Sequence, residues 1–289
     1  MSQSRNPWIL RIILALAVTA FVGISILPII GAINNPSASS PNGVSTNNTL
    51  PSSDQVSRLQ DEVRGYELVL QREPENQIAL SGLLQARLQL LSLGQGDIQS
   101  VIPPLEKLAQ LNPEQSDYGV LLAQAKQQMG DQEGAAQAYR SILDTRPGDL
   151  KALQGMVALL IDQERPEAAV GLLEETLSSA SQRNQVQPGS VDTVAVQVLL
   201  GTVHASQRRY SEASSAYEQA IKKDPQDFRP VLAKAMLLRE QGNTEEAKPL
   251  FDSAVALAPA QYKDEIIRAA SLPSPAPTEA VETPADSEE

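Results

Sequence analysis

The sequence of 289 residues contains no cysteine, a single histidine and few aromatic residues. Without cysteine the chain has no disulfide, zinc-thiolate site, iron–sulfur cluster or thiol nucleophile, and His204 alone cannot form a multi-histidine metal centre. We therefore predict neither a metal nor a cofactor. Aromatic residues make up only 3% of the chain, which is a small supply of the large side chains that fill a deep globular core. A fold built in thin layers from Leu, Ala and Val fits this composition better.

Basic residues are also scarce, with 23 lysines and arginines against 35 acidic residues and a formal net charge of −12. Proteins that bind phosphate backbones need a basic surface, so nucleic acid is excluded as a partner. The charge is uneven along the chain, because residues 1–53 contain two arginines and no acidic residue. The acidic excess therefore belongs to the remainder of the sequence.

An uncharged apolar run over residues 12–33 follows an N-terminal flank of residues 1–11. At about 1.5 Å per residue, a helix of this length crosses a hydrocarbon core of about 30 Å, which predicts a transmembrane helix. Arg5, Arg11 and Trp8 precede the run, which favours an N-terminus in the cytoplasm. The alternative is a cleaved signal peptide, although its apolar region is normally shorter.

Two segments have compositions that cannot form a core. Residues 34–53 are rich in Ser, Asn, Pro and Gly, which predicts a flexible linker. Residues 271–289 contain four prolines, five acidic residues and no basic residue, which predicts a disordered acidic tail. A solubilising role for this tail is favoured over a specific binding motif.

The middle of the chain repeats. Prolines that follow helical patterns stand at Pro74, Pro113, Pro147, Pro225 and Pro259. Their intervals are 39, 34, 78 and 34 residues, and 78 is two periods of 34 plus ten. A five-residue insertion around Gly94 and a ten-residue polar insertion over residues 182–191 explain the longer intervals.

Four of the five units have Gly or Ala at the eighth position of the first helix and the remaining unit has Val157, while each second helix has an aromatic or large aliphatic residue. The clearest examples in the second helix are Ala213-Tyr217-Ala220, Ala247-Phe251-Ala254 and Ala135-Tyr139-Ile142. Small residues let two antiparallel helices approach closely, and the proline stops the second helix. This pattern of 34 residues resembles the tetratricopeptide repeat family over residues 75–261.

The resemblance implies an all-α superhelix, or α-solenoid, of about five helix-turn-helix repeats. A capping helix, which is half a repeat, is predicted over residues 54–74, and a C-terminal capping helix over residues 262–270. The anchor, linker and acidic repeats together resemble membrane-anchored tetratricopeptide proteins of cyanobacteria and chloroplasts, some of which assist photosystem assembly or thylakoid biogenesis. Three segments carry this second resemblance, namely QPGSVD at 187–192, DFRPVLAKA at 227–235 and EEAKPLF at 245–251.

In this family the second, fifth, ninth and twelfth positions of the first helix face a concave groove. The groove candidates are Leu83, Val120, Gln124, Gln154, Ala158, Val198, Thr202, Arg229, Leu232, Met236 and Arg239. This apolar and amide-rich lining favours an apolar or helical segment of another protein as the partner. The alternative is that several of these residues pack against neighbouring helices. Arg229 and Arg239 either contact an acidic partner or form solvated ion pairs.

No catalytic motif is present, and His204 has no evident partner for acid–base chemistry, so we predict a non-enzyme. The predicted function is a membrane-tethered protein-interaction scaffold, an assembly or biogenesis factor for a photosynthetic membrane complex. The predicted location is a single-pass protein of the thylakoid or plasma membrane. The alternative function is a periplasmic or lumenal holdase for exported proteins, similar to the anchored repeat proteins of cytochrome c maturation.

Overall fold

A computed structural model describes residues 53–272, and every regular element in that range is helical. The predicted N-terminal flank, transmembrane helix and linker lie outside the described residues, except for Ser53, as does the tail after Leu272. Among the helices of residues 53–272, none is both long and apolar enough to span a bilayer. The division of the whole chain into an anchor, a linker, repeats and a tail stays a prediction.

The chain forms two compact units, whose described parts are residues 53–192 and 193–272. The helices of the first unit are α1 (Ser53–Arg72), α2 (Gln77–Ser92), a 3₁₀ helix (Ile98–Val101), α3 (Ile102–Leu111), α4 (Ser116–Gln128), α5 (Gln132–Thr145), α6 (Leu150–Asp162) and α7 (Pro166–Val186). Those of the second unit are α8 (Thr193–Ser206), α9 (Tyr210–Lys223), α10 (Phe228–Glu240), α11 (Thr244–Leu257) and α12 (Ala260–Ser271).

Helix starts follow the prolines at a fixed distance. The side chains of Asn76 and Asp149, each two residues after a proline, accept the backbone N–H of Ala79 and Ala152 at 3.0 Å. Asp227 caps α10 in a similar way, through the N–H of Arg229 at 2.9 Å. Such caps satisfy amide groups that have no partner within the helix. The helices α2, α4, α6 and α10 begin three residues after Pro74, Pro113, Pro147 and Pro225, and of these only α4 has no side-chain cap.

The turn inside each helix pair needs a left-handed residue. Gly130 and Gly242 have φ values of 80° and 84° at this place, which glycine adopts without a steric penalty. Glu164 and Arg208 adopt φ values of 59° at the equivalent turns of their pairs. The four positions are separated by 34, 44 and 34 residues, so the backbone repeats the period of the sequence, including the ten-residue insertion.

The core of each unit is a layer of small and aliphatic side chains between helices. In the first unit one cluster joins α2, α3 and α4 through Leu80, Leu84, Val101, Leu105, Leu108, Leu122 and Ala125. In the second unit, clusters around Tyr217 and Phe251 hold α8 to α10 and α10 to α12. Burial of apolar surface contributes about 25 cal/mol per Å² to stability. A single helix pair buries too little of this surface, and stacking of successive pairs adds the rest.

Both predicted insertions have definite structures. The first contains Gly94, with a φ of 68°, and the 3₁₀ helix, whose start Asp97 caps. The second insertion, residues 182–191, is partly helical, because α7 extends into it as far as Val186. The loop that follows is held by Asn184, whose side chain accepts the N–H of Val191 at 2.9 Å and donates to the Val191 carbonyl at 3.0 Å.

Candidate functional site

The first helix of the first repeat, α2, has a register two residues later than predicted. The unit was expected to begin at residue 75, whereas the helix begins at Gln77. As a result, Leu83 is only 4% exposed and presents no surface to a partner. The outer face of α2 instead carries Ile78, Gln85 and Leu88, of which Ile78 is 82% and Leu88 is 38% exposed.

Three of the predicted residues lie on the neighbouring helices α4 and α6. Gln124 is exposed, and Gln154 and Ala158 are half-buried. An ion pair between Asp117 on α4 and Lys151 on α6, with Nζ and Oδ1 2.6 Å apart, ties the starts of these helices together. Residues Ile78, Gln85, Leu88, Gln124, Gln154 and Ala158 are called the amide face below.

Val120, on α4, is predicted with these residues but is buried. Asp117 and Lys151, at the starts of α4 and α6, neutralise each other in an ion pair. The six residues of the amide face are themselves uncharged, on a chain of net charge −12. It can bind apolar side chains and hydrogen-bond backbone amide groups, because a carboxamide is both a donor and an acceptor.

In the second unit, the predicted residues of α8 are buried rather than open. Val198 belongs to the cluster around Tyr217. The hydroxyl of Thr202 donates to the Val198 carbonyl at 2.9 Å and lies 3.4 Å from the Tyr217 hydroxyl. Val198 and Thr202 therefore pack against neighbouring helices in the core instead of lining a groove.

The predicted residues of α10 are half-buried. Leu232 and Met236 pack against the cluster that contains Phe251 and Ile266, so part of their surface lies under α12. Phe228, at the start of α10, stacks on Tyr262 of α12 with ring centroids 5.3 Å apart. Helix α12 therefore restricts access to this part of the second unit.

Both arginines of this helix are engaged within the unit. The Arg229 guanidinium donates to both carboxylate oxygens of Asp227, with Nε–Oδ2 2.8 Å. Arg239 lies 5.3 Å from the centroid of the Phe251 ring and donates to the Ala269 carbonyl. These contacts favour a structural role for the two arginines over binding of an acidic partner.

His204, the single histidine, is 6% exposed and lies inside the second unit. Within residues 53–272, no group of histidine or acidic side chains is arranged to hold a metal ion. The amide face can act by binding.

The perturbed ionisable groups are structural as well. Burial raises the pKa of Tyr139 and Tyr217 to about 12 each. Burial also raises the pKa of Glu240, and the nearby Arg208 and Arg239 oppose this effect. The Tyr139 hydroxyl, which remains protonated at neutral pH, donates to the Gln127 side chain at 3.1 Å. Tyr139 and Tyr217 lie between packed helices of their own units.

Sequence reasoning missed Ile78, Gln85 and Leu88. The missed signal was the cap, because Asn76 stands two residues after Pro74 as Asp149 stands two residues after Pro147. Counting from the caps instead of from the 34-residue period gives the observed register of α2.

Comparison with protein families identifies repeats in both units. Residues 119–149 and residues 198–262 each match a family model described as tetratricopeptide repeat. The chain therefore contains tetratricopeptide repeats, as predicted. Repeats of this kind are protein-interaction scaffolds, which confirms the broad class of the predicted function.

Two curated proteins are similar to the chain. Cellulose synthase operon protein C of Pseudomonas fluorescens (strain SBW25) is 27% identical over 151 residues, which is 52% of this chain and 12% of that protein. The protein SLOW GREEN 1, chloroplastic, of Arabidopsis thaliana is 27% identical over 197 residues, 68% of this chain and 60% of that protein. The matched region spans less than two thirds of the length of either relative.

Among solved structures, a thermophilic tetratricopeptide protein of Thermus thermophilus is 22% identical to the chain with a TM-score of 0.41. The similarity covers 65% of this chain and 97% of that one.

Proposed function

We propose that this protein is a membrane-tethered scaffold that binds a partner polypeptide during the assembly of a membrane protein complex. The observation that carries the proposal is the amide face, on which Ile78 and Leu88 are exposed beside glutamine side chains. Exposed apolar residues bordered by polar groups are typical of protein-binding surfaces. Tetratricopeptide repeats at residues 119–149 and 198–262 supply the scaffold.

The partner is an apolar or helical segment of another protein. Apolar side chains of such a segment would seat on Ile78 and Leu88, and the carboxamides of Gln85 and Gln124 would hydrogen-bond its polar groups. The six residues of the amide face carry no charge, so the face itself offers no ionic partner to a strongly acidic or basic peptide.

The proposed location is a thylakoid or plasma membrane, with residues 12–33 as the anchor and the N-terminus in the cytoplasm. Support for a photosynthetic setting comes from the chloroplastic relative, which matches 68% of this chain. A photosynthetic membrane complex is therefore the proposed target of assembly.

Deletion of the gene tests this role. We expect reduced accumulation of chlorophyll and of assembled photosystems, whereas normal levels of both would contradict the proposal. Haem staining of c-type cytochromes in the same strain tests the holdase role. A selective loss of c-type cytochromes would replace the assembly role with the holdase role.

The amide face is tested by affinity capture from solubilised membranes. The double variant Ile78→Glu, Leu88→Glu places two charges on exposed positions and should reduce partner recovery about tenfold, since two buried apolar contacts are worth about 1.4 kcal/mol or more. Val186→Glu is the matched control, because Val186 is 84% exposed and lies at the end of α7. Unchanged capture by the double variant would show that partners bind elsewhere.

Protease protection of closed membrane vesicles tests the topology. The vesicles must have the cytoplasmic face outward. Repeats of the full-length protein that are digested only after detergent is added would then have the proposed orientation. Digestion from the cytoplasmic side would contradict a cytoplasmic N-terminus followed by a single span.

A further inference from the structure

Within residues 53–272, helix α1 has the features of a second repeat helix with no first helix before it. Tyr66 of α1 lies over Gly82, the sixth residue of α2, as Tyr139 of α5 lies over Gly155, the sixth residue of α6. By this correspondence Val69 is the equivalent of Ile142, three residues after the tyrosine.

The two equivalent residues differ in their surroundings. Ile142 packs against Gly119 of α4, where an added Cβ would lie 2.9 Å from its side chain, and Ile142 is 8% exposed. Val69 is 40% exposed, and a Cβ added to the nearby Gly65 would meet no atom within 4 Å. Among residues 53–272, the face of α1 around Gly65 and Val69 is therefore uncovered where a first helix normally packs.

Helix α12 has the opposite character, that of a first helix with no second helix after it in the described part of the chain. Tyr262 follows Phe228 of α10 by 34 residues and stacks on it. Ala269 likewise follows Ala235, the small residue of α10, by 34 residues. The far side of α12 exposes Ile267 and the residue just after the helix, Leu272.

Side chains of α1 and α12 carry complementary charge. Antiparallel pairing in the geometry of Gly119 and Ile142 puts Glu265 opposite Val69, one turn from Arg72. It also puts Arg268 on the side of Glu62, near the middle of α1. Glu265 and Arg268 lie one turn apart on α12, so one acidic and one basic side chain of α12 face the oppositely charged Arg72 and Glu62 of α1.

We propose that α12 of one copy of this chain docks on the uncovered face of α1 in a second copy and thereby completes a tetratricopeptide repeat. The contact is heterologous, because the two copies contribute different surfaces. Gly65 and the half-buried Ala269, part of which packs on the cluster around Phe251, come together near its centre, as small residues do between the helices of a complete repeat. This self-association is independent of the proposed function and of the amide face.

A single helix pair buries less surface than the 1,200–2,000 Å² or so of a stable complex, so the contact is weak and depends on concentration. Covalent trapping suits such a contact, and the chain has no native cysteine to interfere. Full-length Val69→Cys and Glu265→Cys chains, purified in detergent, are mixed at equal concentration and oxidised. Circular dichroism verifies that each variant keeps its helicity.

The mixture should give a covalent dimer at least tenfold above the level in either variant alone, because only mixed pairs bring the two sulfurs together. Val186→Cys replaces Glu265→Cys as the control and should give no such increase. If Val69→Cys perturbs α1, Gly65→Cys serves at a position with open space around the added side chain.

Dimers in Glu265→Cys alone would indicate a symmetric α12 contact and would overturn the proposal. An absence of mixed dimer would overturn it as well and would point to another occupant of the α1 face. Adding Arg268→Glu to the Glu265→Cys chain should lower the yield about threefold, as loss of an exposed ion pair does. Adding Glu62→Arg to the Val69→Cys chain should restore it.

Discussion

The ring of Tyr139 on α5 lies directly against the Cα of Gly155 on α6, and a Cβ at that position would come closer than 3.0 Å to the ring. Tyr66 and Gly82 repeat this relationship between α1 and α2, and Tyr217 and Gly201 show it within one helix pair. Absence of a side chain on one helix thus creates the space for an aromatic ring on the next.

Gly155→Ala should lower the free energy of unfolding by about 1–3 kcal/mol, since Tyr139 is 1% exposed and cannot move aside freely. Urea unfolding followed by circular dichroism measures the change. The control is Gly171→Ala on α7, where an added Cβ meets no atom within 4 Å. That variant should be more stable by about 0.5–1 kcal/mol, because alanine favours the helix. Equal effects of the two variants would contradict the proposed steric cause.

The cap of α6 offers a second comparison. Asp149→Ala should cost about 1 kcal/mol of stability, because the Asp149 carboxylate accepts the N–H of Ala152 at 3.0 Å. Gln115→Ala, at the corresponding position before α4, should be nearly neutral, since the Gln115 side chain makes no capping bond. Thermal unfolding at pH 7 distinguishes the two, and a loss of the same size for both variants would show that the capping bond is unimportant.

The loop after α7 should become more mobile when the Asn184 side chain is removed. In Asn184→Ala, the buried N–H of Val191 loses its partner, and amide exchange over residues 187–191 should become about ten to a hundred times faster. Asn112→Ala is a suitable control, because Asn112 donates a single bond, to the Leu108 carbonyl at 2.9 Å. Unchanged exchange in Asn184→Ala would mean that Val191 is held by packing alone.

Glu240 should make the second unit less stable as the pH rises. Burial raises the pKa of Glu240 in the folded state, so the folded chain keeps this proton to a higher pH than the unfolded chain. Stability therefore falls as the pH rises from the ordinary glutamate pKa of about 4.3 to the raised value. Above that window the penalty stays constant.

Glu240→Gln should accordingly raise the Tm by about 2 °C at pH 7 and leave it unchanged at pH 4. Differential scanning calorimetry at both pH values measures the effect. A lower Tm of the variant at pH 7 would mean that the attraction of Arg208 and Arg239 for Glu240 outweighs the cost of burial.

Much of the fold could be predicted because the repeat depends on a few residue types at regular positions. Small residues such as Gly201 and Ala213 and prolines such as Pro225 fix where helices approach and stop, and the structure has helices at these places. The register of α2 could not be taken from the period, because the extra residues around Gly94 shift the count. The cap at Asn76 is the local signal that corrects it.

The candidate site was harder to predict from the sequence. Val198 and Gln124 occupy the fifth and ninth positions of first helices, yet Val198 packs against Leu237 of the next pair and Gln124 is exposed. The same apolar residue types serve packing and binding, so only the neighbouring helix decides between them. Arg239 is a further case, since its partner, the Ala269 carbonyl, is 30 residues away and has no sequence pattern.

Packing between helices that adjoin in the chain also affects synthesis. In residues 53–192, each helix packs chiefly on its immediate neighbours in sequence. A ribosome takes about 2–7 s to add 34 residues, whereas helices form in about a microsecond. Each emerging helix pair therefore meets its packing partner before the next pair has been made, and this unit can fold in step with translation from its N-terminal side.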